Sequence, residues 1–411
     1  MNSKKLMVLL AFLLSLSLFC STVSSNIVTI NNSGNFEQKE EKNIRINFFE
    51  KFLELYTKIC RIPSMSTCII DNDSIIWSKN YGFVDPQIKN KPNDDSIYLV
   101  MSISKPVAAT ALMQLWEQGL FDLDEDVNNY LPFSLRNPNY PNVPITFRML
   151  LSHRSSLNWD EEPGSYSVQC LTKTICLGDP DVESYPHPWL ENYLCPDGDI
   201  YNPEVWVDEE PGSNYHYANV GYALIGYLVE LISHEEFNEY CKNHIFLPLG
   251  MMNTSYFYKD LNNSNICIPY SMSGPIPTGH RQALYSYLWA ACTDLKTTIN
   301  DLSKFIVAHM NGGMYDSVRI LNKSTVDMMH KSYYPDFSSE ENYGLGFQIH
   351  NKSGEKYYGH DGGGPGVHTR MLVRSSDNSC FIYFLTTSSI LTWNTSDFVE
   401  KIYFRQINRL T

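Results

Sequence analysis

The strand patterns of this chain cluster near its two ends, and a mainly helical stretch, roughly 120–310, lies between them. Near the start, Phe49, Phe52, Leu53 and Tyr56 recur at the i, i+3, i+4, i+7 spacing of one helix face. A hairpin pattern follows, Thr67 to Ile70 and Ile75 to Trp77, around an Asn72-Asp73 turn. Near the end, Gly346 to His350, Lys356 to His360, Val367 to Val373 and Cys380 to Thr386 read as closely spaced strands of an antiparallel meander. A last helix is predicted from Ser396, with Val399, Ile402, Tyr403, Ile407 and Leu410 on one side. Helix and strands at both ends predict an α+β fold. Its antiparallel sheet is flanked by N- and C-terminal helices, and a mainly helical subdomain is inserted. No internal repeat occurs.

With 43% hydrophobic residues in 411, the chain can bury one large core or two modest ones. Within the middle, 147–151 and 219–232 read as buried helices and 300–310 as another. Between Trp159 and Pro211 lies an irregular stretch rich in aromatics, prolines and cysteines, too long for an ordinary connection. Residues 26–43 are polar and aperiodic and read as a flexible lead, so the folded domain is placed at 44–411.

Residues 1–25 read as a secretory signal. Lys4 and Lys5 precede an apolar run from Leu6 to Phe19, and Val23-Ser24-Ser25 supplies a cleavage point. The run is short for a membrane span, so no stable membrane anchor is expected after cleavage. The destination is then outside the cell or an endomembrane, lysosome-like lumen. The formal charge is −14, which repels nucleic acid and anionic lipid, and no basic run offsets it. Of ten cysteines, Cys20 leaves with the signal. Cys60, Cys68, Cys170, Cys176, Cys195, Cys241, Cys267, Cys292 and Cys380 remain, and a secreted chain predicts disulfides among them. Asn-x-Ser sequons start at Asn31, Asn72, Asn253, Asn262, Asn322, Asn351 and Asn394, as in a glycoprotein. Neither a Cys-x-x-Cys pair nor His-Glu-x-x-His occurs, so neither a metal nor a cofactor is implied.

Three short patterns carry chemistry. Ser102-Ile103-Ser104-Lys105 ends the strand-like run Tyr98-Leu99-Val100-Met101 and opens a helix with Pro106 in its first turn. Ala108, Leu112 and Leu115 mark the buried side of that helix, and Gly119 suits its C-terminus. Residues i and i+3 share a helix face, so Lys105 lies beside Ser102 as a nucleophile's base would. The plain alternative makes Ser102 an N-cap. Chance supplies about one or two such patterns in a chain this long, and Ser353-Gly354-Glu355-Lys356 is a second copy. Its Asn/Gly surroundings make it a hairpin tip. Tyr217-Ala218-Asn219 precedes an apolar helix and otherwise reads as a core tyrosine with an Asn cap. His360-Asp361-Gly362-Gly363-Gly364 ends a strand in residues that permit close backbone approach.

In order and spacing these patterns resemble those of the serine β-lactamase/D-Ala-D-Ala carboxypeptidase superfamily, in particular its class C-like branch with related esterases. Ile145-Thr146-Phe147-Arg148-Met149-Leu150-Leu151-Ser152-His153 resembles that family's "I-T-[IV]-R-x-L-L-x-H-T-S-G" segment. Glu210-Pro211-Gly212 to Gly221-Tyr222 resembles "x-P-G-x-x-[WF]-x-Y-S-N-x-G-Y", and Tyr343-Gly344-Leu345-Gly346 and Gly359 to Gly363 resemble "Y-G-L-G" and "G-H-[ST]-G-G". The likeness covers about 44–411. Arg154-Ser155-Ser156 departs from Thr-Ser-Gly, Trp289-Ala290-Ala291-Cys292 departs from a glycine-rich segment, and His360 stands where many lactamases carry lysine.

The resemblance implies a β-lactamase/transpeptidase-like fold and a serine hydrolase acting through an acyl-enzyme on esters or amides, D-amino-acid peptides included. Ser102 would be the nucleophile, a desolvated Lys105 of lowered pKa would accept its proton, and Tyr217 would relay it to the leaving group. Asn219 would orient Lys105 and a substrate amide, and the backbone N–H groups of Ser102 and Gly363 would form the oxyanion hole. His360, Gly362 and Gly363 would line the substrate side. A histidine is largely neutral where a lysine is cationic, so β-lactam turnover is expected to be weak and ester or amide turnover stronger. The partner is a small-molecule or peptide substrate. The competing reading is a non-catalytic binding or scaffold protein that retains the fold. An α/β-hydrolase is disfavoured because no Gly-x-Ser-x-Gly occurs.

Overall fold

The computed structural model describes residues 36–158, 175–177, 181, 186–273, 278–287, 290–333 and 341–410. The signal-like segment, much of the Trp159–Pro211 stretch and Trp289 lie outside the described residues. Among the described helices are α1 (Phe36–Ile59), α2 (Ser104–Glu117), α3 (Phe147–Leu151), α4 (Asn219–Ser233), α5 (Ala290–Thr293), α6 (Ile299–Met310) and α7 (Ser396–Leu410). The main strands are β1 (Ser64–Asp71), β2 (Ser74–Gly82), β3 (Glu341–Tyr343), β4 (Gln348–Lys352), β5 (Glu355–Gly364), β6 (Val367–Arg374) and β7 (Ser379–Leu385).

These strands form one antiparallel sheet in the order β3-β4-β5-β6-β7-β1-β2. The N-terminal hairpin therefore pairs with the last strand of the chain, Met65 opposite Leu385 and Asp71 opposite Ser379. Because side chains alternate across a strand, β1 feeds two cores. Met65 and Ile69 pack with Phe381, Tyr383, Phe49, Leu53, Tyr403 and Ile407 under the terminal helices. Cys68 and Ile70 face the opposite way and join Ile382, Phe384, Leu112 and Leu302. Both faces being covered, β1 is buried almost throughout, which replaces the half-polar alternation of an exposed sheet.

The helix stripe of α1 holds: Phe49, Phe52, Leu53 and Tyr56 are all buried. That helix begins at Phe36, inside the stretch read as a lead. In α7, Val399, Tyr403, Ile407 and Leu410 are buried, while Ile402 lies half-buried at the margin. The meander is as predicted, except that β5 continues through the glycine run, with Gly362 opposite Thr369 and Gly364 opposite Val367. Ser353 and Gly354 form the β4–β5 turn with φ of 53° and 83°, so the second Ser-x-x-Lys copy is a hairpin tip.

The middle is less purely helical than expected. Tyr270–Ser273 and Thr278–Arg281 form a hairpin that pairs in parallel with Thr387–Ser388, and Ile175–Leu177 pairs with Tyr285–Tyr287. The predicted disulfides do not form among the described cysteines. Cys60, Cys68, Cys195, Cys241, Cys267, Cys292 and Cys380 are thiols, most of them packed as small apolar groups. The side chains of Cys170 and Cys176 lie outside the described residues. No helix among the described residues is long and apolar enough to cross a membrane.

Gly346 sets how closely α2 approaches the sheet. Its φ is +93°, and a Cβ there would lie 2.3 Å from the Ala109 Cβ. Gly119, after α2, has φ +74° with open space around it. Gly119→Ala should therefore cost about 1 kcal/mol for the left-handed backbone alone. Gly346→Ala should cost about 3 kcal/mol, because overpacking adds to the backbone strain. Urea denaturation of the two variants checks this, and equal losses would refute the packing argument.

Candidate active site

Ser102 sits in a single 3₁₀ turn, Met101–Ile103, between the short strand Tyr98–Leu99 and α2. The sequence reading started the helix at Ser102 itself. Met101 has φ +52°, a left-handed conformation that costs a non-glycine residue about 1–2 kcal/mol. The surroundings enforce it. Ser104 Oγ donates to the Met101 carbonyl at 2.6 Å and accepts from the Leu295 N–H at 3.0 Å. Thr369 Oγ1 on β6 donates to the Val100 carbonyl at 2.9 Å, and the Val100 N–H donates to the Leu295 carbonyl at 3.0 Å.

Gly362 of β5 brings that strand against the same backbone, and Gly364 brings it against the Met101 side chain. A Cβ on Gly362 would fall 2.2 Å from the Val100 carbonyl oxygen, and one on Gly364 would fall 1.8 Å from Met101 Cε. The close approach that glycine permits is thus made to the loop that carries Ser102.

The structure brings the three sequence patterns together. Lys105 is fully buried, and its Nζ lies 2.9 Å from Ser102 Oγ and 3.1 Å from the Cys292 carbonyl. The Tyr217 hydroxyl donates to Ser102 Oγ at 3.1 Å. Lys105 Nζ also stands 4.9 Å from the centre of the Tyr217 ring. Asn219 opens α4, and its Oδ1 is buried without a hydrogen-bond partner.

His360 is turned inward. It is 1% exposed, its Nδ1–H donates to the Asp361 carbonyl at 2.6 Å, and its Nε2 accepts from the Tyr343 hydroxyl at 2.8 Å. Burial, reinforced by nearby Lys105, pushes its imidazolium down to about 3, so the ring is neutral near pH 7. On the reverse face of β5, burial disfavours the Asp361 charge. The bidentate Arg370 guanidinium, at 2.7 and 2.6 Å, outweighs it and holds the carboxyl at about 2.

Several site residues were not singled out from the sequence. The Cys292 carbonyl that receives Lys105 is a backbone group, and its segment there registered only as a departure. Tyr343 and His153 lay within recognised segments without assigned roles. His153 is buried, with its ring centre 4.3 Å from that of Tyr217 and 4.6 Å from that of Tyr343. Arg154, the departure from Thr-Ser-Gly, donates through Nη1 to the Ser213 carbonyl at 3.0 Å, so the altered loop remains tied to the Tyr217 segment.

The family model described as Beta-lactamase matches residues 48–392. Similar proteins include "Beta-lactamase-like protein 2" of Dictyostelium discoideum, 29% identical over 278 residues, covering 64% of this chain and 44% of that protein. "Putative penicillin-binding protein PbpX" of Bacillus subtilis is 27% identical over 290 residues, covering 70% and 62%. This chain thus spans roughly half the length of such relatives. Among solved structures, an octameric penicillin-binding protein homologue from Pyrococcus abyssi superposes with a TM-score of 0.69 at 23% identity, covering 84% of this chain and 74% of that one. D-amino acid amidase from Ochrobactrum anthropi superposes with a TM-score of 0.69 at 20% identity, covering 90% and 99%. These likenesses show a β-lactamase/transpeptidase-like fold.

The buried imidazoles set a pH dependence. Burial lowers His309, His360 and His368 to about 3 and His350 to about 4. An imidazole that stays neutral when folded forgoes a proton that the unfolded chain takes up below about pH 6.5, so stability falls as pH drops. Each such group contributes about 1.4 kcal/mol per pH unit between its unfolded and folded values. Asp294 and Glu230, raised by burial to about 6 and about 7, act in the opposite sense but are fewer. The melting temperature by calorimetry should be lower at about pH 5 than at about pH 7. An equal or higher value at the acid end would contradict this reading.

Proposed function

The chain belongs to the Beta-lactamase family, and on that premise we propose that it is a secreted serine hydrolase. It acts through an acyl-enzyme on ester or amide substrates, D-amino-acid amides and peptides among them. The observation that carries the reading is the placement of Ser102 Oγ within hydrogen-bond reach of both Lys105 Nζ, at 2.9 Å, and the Tyr217 hydroxyl, at 3.1 Å. A serine hydroxyl flanked by an amine and a phenol can lose its proton as it attacks a carbonyl.

In this reading Lys105 starts as the neutral amine, and the Ser102 Oγ–acyl bond forms as the hydroxyl proton passes to the Lys105/Tyr217 pair. The pair is one titrating unit, because its members are coupled through the same oxygen. The carbonyl oxygen takes the negative charge and is met by the backbone N–H groups of Ser102 and Gly363, each worth on the order of 3 kcal/mol to the transition state. The pair returns the proton to the departing alcohol or amine through Tyr217. Water then attacks the ester, gives up its proton to the same pair, and the acid leaves as Ser102 regains its hydroxyl. The buried Oδ1 of Asn219, lacking a partner, is available to accept a substrate N–H.

The neutral, internally bonded His360 offers no charge to a substrate carboxylate. That favours esters and amides over substrates whose recognition depends on a free carboxylate, β-lactams included. The D-amino acid amidase that shares the fold supports the amide class. The signal-like segment supports entry into the secretory route, to the exterior or an endomembrane lumen. Asn72, Asn262, Asn322, Asn351 and Asn394 are exposed, as glycan acceptors must be.

The wild-type protein should form a covalent adduct with a fluorophosphonate probe, and Ser102→Ala should abolish it. Ester turnover should fall by at least about a thousandfold in the same variant. Nitrocefin should be hydrolysed far more slowly than short esters. Absence of any adduct with acylating reagents would favour a binding or scaffold protein, and lactam turnover rivalling that of esters would refute the substrate reading.

A further inference from the structure

Tyr217 and Asn219 flank the start of α4, and what holds them there is a second turn, Ser152 to Ser156. His153 is the centre of that turn. Its backbone is left-handed, with φ +57°, a conformation uncommon outside glycine and one that asparagine, aspartate and histidine adopt more readily than other residues. Two backbone bonds run from the turn to the Tyr217 segment. The His216 N–H donates to the His153 carbonyl at 2.8 Å, and the Gly212 N–H donates to the Arg154 carbonyl at 2.7 Å. A third bond comes from the imidazole. His153 Nδ1 lies 3.1 Å from the Ala218 N–H, which donates to it. Ala218 is the residue between Tyr217 and Asn219.

This last bond fixes the tautomer. Nδ1 accepts, so the proton of the neutral ring is on Nε2. Nε2 is buried and has no hydrogen-bond partner. The ring is enclosed by tyrosines, its centre 4.3 Å from that of Tyr217, 4.6 Å from Tyr343, 5.1 Å from Tyr222 and 5.9 Å from Tyr215. The ring planes of Tyr215 and Tyr343 stand at 88° and 72° to it, the edge-to-face arrangement that aromatic quadrupoles favour.

We infer that His153 is a positioning residue of the hydrolase reaction, holding the Tyr217 hydroxyl and Asn219 Oδ1 in register with Ser102 through its Nδ1 bond to Ala218 and its packing on the Tyr217 ring. The inference rests on the hydrolase reading of Ser102, Lys105 and Tyr217. It also requires that the imidazole remain neutral throughout catalysis. Burial, with Lys105 and His360 nearby, keeps its imidazolium well below the ordinary histidine range.

Two variants separate positioning from simple packing. His153→Asn puts an amide oxygen where Nδ1 stands, and asparagine tolerates the left-handed backbone. His153→Phe keeps a ring of similar size but cannot accept from Ala218. On a short ester, His153→Phe should lose on the order of a hundredfold in kcat with KM changed by less than about threefold. Its pH–kcat profile should shift, because Tyr217 no longer shares the Ser102 proton in the same geometry. His153→Asn should recover most of that kcat even if both variants melt at the same lower temperature. Equal kcat losses in the two, tracking their melting temperatures, would overturn the inference. In the wild type, ¹⁵N NMR should find Nδ1 unprotonated and Nε2 protonated from about pH 6 to about pH 9. A protonated Nδ1, or titration in that range, would overturn it without recourse to a variant that might not fold. Absence of turnover in the wild type would count against the hydrolase reading instead and leave the NMR result to decide on His153.

Discussion

The arrangement depends on the contact between two backbones, the Val100–Met101 junction and the glycine run of β5. A Cβ on Gly362 would strike the Val100 carbonyl, and one on Gly364 would displace the end of the Met101 side chain. That contact fixes the distance between the segment bearing Ser102 and the strand whose Gly363 N–H is proposed to meet the oxyanion. It also explains why Met101 sits left-handed. The chain must turn sharply between the short strand at Tyr98–Leu99 and α2, and the bonds from Ser104, Thr369 and Leu295 over-determine the turn. Strain of this kind persists where the surroundings leave no alternative.

Charge is handled differently on the two faces of β5. Toward Ser102, Lys105 is buried among rings and carbonyls, and the two nearby histidines, His153 and His360, are neutral. Their Nδ1 roles are opposite. His153 accepts there from Ala218, whereas His360 donates there to Asp361. Each ring therefore has its tautomer set by a backbone group and takes no proton near neutrality. Beside these two silent imidazoles, Lys105 and Tyr217 stand within hydrogen-bond reach of the Ser102 hydroxyl.

Local patterns made the terminal elements legible. The i, i+3, i+4, i+7 stripe of α1, the meander and the hairpin around Asn72 all follow from burial period and turn chemistry. The same holds in part for the Ser102 segment, where a strand-like run abuts a 3₁₀ turn bearing Ser102 and then the helix bearing Lys105. Sequence could not reveal that the N-terminal hairpin lies beside the last strand, since only pairing across the whole chain fixes the order β7-β1-β2. Nor could it reveal the Cys292 carbonyl as a Lys105 partner, because a backbone acceptor carries no side-chain signature. The early start of α1 carries no apolar stripe because residues 37–43 are polar, and helix propensity there outweighs its absence. His360 lies in the Gly-His-Asp-Gly-Gly segment, but its inward bond to Tyr343 follows from the pairing of β3 with β4 and not from the segment itself.

The reverse face of β5 shows why the chain ends are needed. Asp361 alternates to the side opposite His360 and meets Arg370 on β6. The Arg370 guanidinium also donates to Glu400 on α7 at 3.1 Å, and Lys352 on β4 reaches the same carboxylate at 3.0 Å. Arg370 and Glu400 are both buried. Removing one partner from such a pair leaves an uncompensated charge, at a cost of about 3–5 kcal/mol. The C-terminal helix is thereby tied to the strand that carries His360 and the glycine run, while α1 packs beside it over the same sheet face. Helix α2 supplies Lys105 and the helical subdomain supplies Tyr217 and Asn219, but the position of the strand opposite them is held from behind, by residues at the far end of the chain.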